Sequence, residues 1–129
     1  MRNFILVLAT VSLAGCEQEV TVDGRQAFLE NCAGCHGDDA RGAGPIGRDL
    51  AKVPPDLTGL AARNGGSFPR DDVMSTIDGF RRNSHFSADM PEFGAGDMGP
   101  TTIVETDGLG TPVPVQLLAL TDYLQSLQR

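Results

Sequence analysis

The chain has 129 residues, enough for one domain, and a formal charge of −7. That acidity argues against nucleic acid as a partner, since binding phosphates requires a basic face. Aromatics make up 5% and tryptophan is absent, so so short a chain gains little from a core of its own, and a bound apolar group would supply the missing mass. Sixteen glycines and eight prolines point to a loop-rich fold, below the ~25–30% of Pro plus Gly that marks disorder.

Met1-Arg2-Asn3 is a short positive start, and Phe4 to Leu13 is an apolar run. The run is too short to span a bilayer and the right length for a secretory signal. It ends in Leu13-Ala14-Gly15-Cys16, which resembles the lipobox of bacterial lipoproteins. The resemblance implies cleavage before Cys16, lipid on its thiol and acylation of the new N-terminus. Residues 1–15 are then a lipoprotein signal peptide, 16–22 a lipidated tether and 23–129 the folded domain. The product is exported to the periplasmic face of a bacterial membrane and held there by more than one acyl chain, as stable anchoring requires. Losing Arg2 leaves nine basic residues against seventeen acidic ones, a formal −8.

Asp23 to Cys32 predicts a first helix. Asp23 serves as N-cap, and Ala27, Phe28, Leu29 and Cys32 give it an apolar side. Gly34 and Gly37 are expected to break it. The run Cys32-Ala33-Gly34-Cys35-His36 has the spacing for covalent attachment of a c-type haem. Two thiols two residues apart bond the two vinyl groups of one haem, and the adjacent imidazole becomes the proximal iron ligand. A thioredoxin-like dithiol goes with an α/β chain, which this pattern is not. A closed zinc site usually takes four ligands, and no second Cys or His pair exists.

Gly24-x-x-x-Phe28-x-x-x-Cys32-x-x-Cys35-His36-Gly37 resembles the start of class I cytochromes c. The resemblance implies an all-α fold whose first and last helices cross around a covalent haem. In Gly42-x-Gly44-Pro45 it implies that the Pro45 carbonyl accepts the proximal imidazole N–H. Arg48, just beyond, is a candidate partner for a haem propionate.

Asp56 is the expected cap of a short helix reaching Arg63, because Pro54 and Pro55 block any helix from upstream. After Pro69, Val73, Met74, Ile77 and Phe80 fall on one side of a further helix that closes near Gly79. The sixth iron ligand has four candidates: Met74, Met90, Met98 and His85. Met74 reads as core filler. Met98 stands among glycines and acids with no apolar neighbours. Pro91 pushes Met90 toward extended backbone, so Met90 sits on a loop able to lean over the haem beside Phe93. Pro-Pro-Asp-Leu-Thr, Gly-Gly-x-Phe-Pro and a His shortly before Met-Pro resemble a bacterial subgroup of these cytochromes. Met90 is the expected ligand and His85 a peripheral histidine.

Thr101 to Glu105 is β-branched, and Asp107-Gly108 allows a short hairpin with Thr111 to Val115. The cytochrome core has no obligatory sheet, so this reads as an insertion without chemistry. Val115 to Leu127 is the closing helix, with Leu117, Leu118, Leu120, Leu124 and Leu127 on its apolar face. The resemblance pairs Gly24 and Phe28 with Leu120 and Tyr123.

Taken together, these readings predict one haem c held by Cys32 and Cys35, with His36 and Met90 on the iron. Methionine as sixth ligand raises the potential and leaves iron no vacancy, so the expected role is one-electron transfer with a membrane-bound redox partner rather than catalysis. The rival readings are a haem enzyme or gas or peroxide sensor whose Met90 leaves the iron, and a haem-bearing subunit of a larger respiratory complex.

Overall fold

A computed structural model describes residues 21–80, 89–106 and 108–129. The leader, Cys16 and His85 lie outside the described residues. Helix α1 covers Gly24–Asn31, and the Asp23 carboxylate caps it by accepting the Gln26 amide at 3.1 Å. The chain resets at Cys32 and continues as α2, Ala33–His36. Gly34 therefore lies inside a helical turn instead of breaking one. Gly37 is the true stop, at φ +79°, in the left-handed region that glycine enters without a β-carbon penalty.

A 3-10 turn at Leu57–Gly59, capped by Asp56, leads into α3, Leu60–Arg63. Helix α4 spans Arg70–Asp78, opening after Pro69 and closing on Gly79 in αL conformation. Val73 and Ile77 are buried. Phe80, expected on that face, lies beyond the αL stop and is 87% exposed, because the αL residue ends the helical periodicity one position before it.

Strand β1, Thr101–Thr106, pairs antiparallel with β2, Leu109–Pro114. The domain is therefore not all-α. Pairing on β2 begins at Leu109, two residues before the expected Thr111. Helix α5, Val115–Ser126, closes the fold.

Helices α1 and α5 cross and form the heart of the core. Phe28 is 1% exposed, and its ring meets Tyr123 at 5.4 Å between centroids. Gly24 lies against Ala119 and Tyr123, not Leu120. Leu120, at 2% exposure, joins Phe28 in the shared core. Helix α4 is tied to α5 by Arg70, which pairs with Asp122 at 2.6 Å and donates to Gln125 at 3.0 Å. The last residues fold back on the 56–61 segment. Gln128 donates to the Leu57 carbonyl and accepts the Ala61 amide, and Arg129 reaches Asp56 and Thr58. Among the described residues no helix is long and apolar enough to cross a membrane.

Candidate functional site

The Cys32–His36 segment is held by the loop that follows it. The Gly42 amide donates to the His36 carbonyl at 2.7 Å, Gly44 to Cys35 at 3.2 Å and Ile46 to Gly34 at 2.8 Å. These bonds satisfy carbonyls that the end of a short helix leaves open. The approach is close enough to demand glycine. A β-carbon on Gly44 would meet the carbonyls of Ala33 and Gly34, and one on Gly47 would overlap the Cys35 carbonyl. A loop of small residues thus clamps the motif helix from behind.

In front of it lies a cavity of about 560 Å3. Cys32, Cys35 and His36 line one wall. Phe28, Leu57, Leu60, Val73, Ile77, Leu120 and Leu124 supply apolar surface, and Met90, Pro91 and Phe93 close another side. Asn31, Lys52, Asp72, Thr76 and Asp89 add the polar groups. Lys52 is the one cation of the lining among the described residues. The Met90 loop is fixed to the end of α4: there is no room for a β-carbon at Gly94, which abuts Asp78, and Gly79 packs on the Glu92 side chain.

Of the candidate ligands, Met90 reaches the cavity that holds His36, while Met74 and Met98 do not line it. Met74 packs at the edge of the core, as its amphipathic position predicts. Met98 is buried, at 8% exposure, where the sequence pattern offered it no apolar neighbours. Those neighbours come from distant parts of the chain.

His36 is half-buried, and its desolvation lowers its pKa. The carbonyl of Pro55 acts in the opposite direction, as an acceptor that favours the protonated ring. No acceptor meets the buried Nδ1 with full hydrogen-bond geometry. The proline beside the imidazole is therefore Pro55, which lines the cavity, and not Pro45, which is exposed and outside it. Of the two glycines before Pro45, Gly44 packs on the motif at Ala33 and Gly42 packs on Pro54. Arg48 is likewise outside the cavity, and its Nε turns back toward the Gly44 carbonyl.

Cys32 and Cys35 are both free thiols. Burial, followed by the neighbouring Cys35, pushes the Cys32 pKa up to about 11, so the thiol stays protonated at neutral pH. Among the described residues no three His, Cys, Asp or Glu side chains converge as a metal cluster.

A large, mostly apolar cavity, two free thiols on its wall and an adjacent half-buried imidazole fit a covalently held haem. Comparison with curated proteins and with solved structures returns no match. The family model described as Cytochrome c matches residues 21–128, a span that contains the motif, the cavity and the crossing of α1 with α5. The chain belongs to the cytochrome c family, and so is a c-type cytochrome whose haem serves electron transfer.

Proposed function

We propose that this cytochrome is a one-electron carrier with His36 and Met90 as axial ligands, anchored through lipid on Cys16 at the periplasmic face of a bacterial membrane. The observation that carries the ligand assignment is the cavity itself, which His36 and Met90 share and which Met74 and Met98 do not enter. When bound, the haem iron supplies a ferric–ferrous couple.

The chain's residues set the terms of that couple. The Pro55 carbonyl beside the imidazole favours its protonated form and would help to orient the ring. The apolar lining lowers the local dielectric and restricts water, which tunes the potential. The Met90 loop is packed on the end of α4 through Gly79 and Gly94, on the side of the cavity that Met90 lines.

The ligand assignment is tested by the weak far-red absorption of ferric protein that reports an iron–methionine bond. Met90→Ala removes it and lowers the potential; Met74→Leu and Met98→Leu keep it. Loss of the band only on Met98→Leu, or a changed low-spin spectrum only on His85→Ala, refutes the assignment. Rapid binding of carbon monoxide or peroxide by the unaltered protein would favour the enzyme or sensor reading instead.

The leader pattern supports the anchor, and the tether is short. Val22 packs against the core, so five residues, 17–21, would separate the lipidated cysteine from the folded domain, a reach of roughly 20 Å. A haem kept that close to the bilayer meets membrane-bound redox proteins at high effective concentration. In an apolar contact patch at the haem edge near Ala33, Met90 and Phe93, Ala33 contributes little surface, being 4% exposed. Ile46, at 58%, and Val53, at 56%, are the exposed apolar side chains beside the motif and the cavity.

A further inference from the structure

The hairpin of β1 and β2 has two unequal edges. In an antiparallel pair, residues whose N–H and C=O groups bond across the ladder alternate with residues whose groups point away. The Val115 amide donates to the Pro100 carbonyl at 2.9 Å, which fixes this alternation just outside the sheet. Counting inward with the register Thr101↔Pro114, Thr102↔Val113 and Ile103↔Pro112, the groups of Thr101, Ile103 and Glu105 point away from β2. Those of Pro112 and Pro114 point away from β1.

The consequence follows from proline chemistry. The outer edge of β2 has no donor at residues 112 and 114, so it is closed to a further strand. The outer edge of β1 keeps its donors and acceptors at Thr101, Ile103 and Glu105, and among the described residues none of these main-chain groups has a partner. Such an edge is a template for strand addition. Its central residue, Ile103, is apolar and 63% exposed. The opposite face is taken, because Val113 packs against the core.

We propose that the β1 edge is the interface for a second copy of this chain, joined β1 to β1 across a two-fold axis at Ile103. The edge is self-complementary in that register. Ile103 faces Ile103 of the second copy, Thr101 faces Glu105 and Glu105 faces Thr101. All three outward-pointing positions meet outward-pointing positions, giving about six hydrogen bonds, two at each pair. The two glutamates are not opposed, so no like-charge pair arises directly across the junction. The proline-blocked β2 edges end the sheet at four strands, and the assembly closes as a symmetric dimer instead of a fibre.

A six-residue edge buries less than the roughly 800 Å2 per partner of a stable interface. The pairing is therefore weak in dilute solution and becomes populated where copies are concentrated, as on a membrane surface. It sets two haem domains side by side and goes beyond the carrier function, which holds for the monomer alone.

The test uses the purified haem-loaded protein in the ferrous state, from micromolar to millimolar concentration. Sedimentation velocity is expected to show a reversible monomer–dimer equilibrium. Amide exchange at Thr101, Ile103 and Glu105 is expected to slow as concentration rises, while Thr102 and Val104, already bonded across the hairpin, change little. Ile103→Pro removes an outward N–H and no hairpin bond, so it abolishes dimerisation with the haem spectrum intact. Ile103→Lys, which puts like charges face to face, gives the same loss without altering the backbone. Thr101→Lys, placed opposite Glu105 of the second copy, tightens the dimer several-fold. A protein that stays monomeric at millimolar concentration overturns the proposal. So does a dimer that survives Ile103→Lys while the Thr101, Ile103 and Glu105 amides exchange freely, whatever other surface holds it.

Discussion

Gly24 lies so close to the main-chain carbonyl of Ala119 that a β-carbon on it would overlap that oxygen. The contact is backbone against backbone, so no side chain can move aside to relieve it. Phe28, one turn along α1, meets Tyr123, one turn along α5, and the two contacts together define how the helices cross. Gly24→Ala must part the helices. The expected cost is about 2 kcal/mol, the usual scale of overpacking in a core. It should appear as a lower denaturant midpoint of the haem-loaded protein at unchanged slope, with the haem spectrum retained.

Covalent attachment is the second expected outcome. With both thiols on the cavity wall, protein made alongside a haem-attachment system should keep its haem through acid and organic extraction. Its intact mass should equal the processed chain plus one haem. Cys35→Ser should leave a single thioether, seen as a shifted reduced-haem band after alkaline pyridine treatment. Haem that washes out of the unaltered protein would contradict the attachment.

The local parts of this fold were legible because their signals are local. Asp23 before an amphipathic run, Gly79 after one, and the β-branched run from Thr101 each announce an element locally, and a helix start, a helix end and a strand are found there. Met90 was separable from Met74 by backbone alone, since Pro91 disfavours helix at the preceding residue. What escaped depends on residues far apart in the chain. Pro45 and Pro55 both follow plausible patterns, and only the path of the loop decides which carbonyl faces His36. Gln128 and Arg129 lie beyond the apolar face of the closing helix, yet they bond to residues some seventy positions away. Thr121 is fully buried in α5 although it is polar, because its hydroxyl donates to the Leu117 carbonyl at 2.7 Å within the same helix.

The junction between Asp56 and Arg129 carries a pH dependence. The Thr58 hydroxyl donates to the Asp56 carboxylate at 2.6 Å and the Thr58 amide at 2.8 Å, and these bonds lower its pKa below the usual 3.8; Arg129 adds to the effect. A carboxyl whose pKa is lower folded than unfolded contributes stability above its unfolded value and loses it as pH falls through the folded one. Asp56→Asn should therefore lower the denaturation midpoint at pH 7, and its deficit should shrink as the pH drops below about 3.8. Because hydrogen bonds lead the effect, added salt should narrow the difference only partly. A deficit that widens in acid would contradict this assignment.

The tether supplies the last expectation. Lys52 is the chain's single lysine against seventeen acids, so a ring of lysines around the haem edge, which would steer the protein toward acidic partners, is absent from the composition. Under the proposed anchoring, confinement at the membrane would substitute for long-range steering, because a reach of roughly 20 Å would raise the effective concentration of any membrane-bound redox complex and let pairwise affinity stay weak. Cys16→Ser behind an ordinary cleavable signal should give a protein with normal spectrum and potential that no longer sediments with membranes. Its electron exchange in native membranes should fall strongly and recover when the soluble form is added in large excess. Ile46→Asp in the anchored protein tests the contact separately: it should slow the exchange while leaving spectrum, potential and membrane attachment unchanged. Undiminished exchange by the soluble form at its native abundance would show that the encounter does not depend on the anchor.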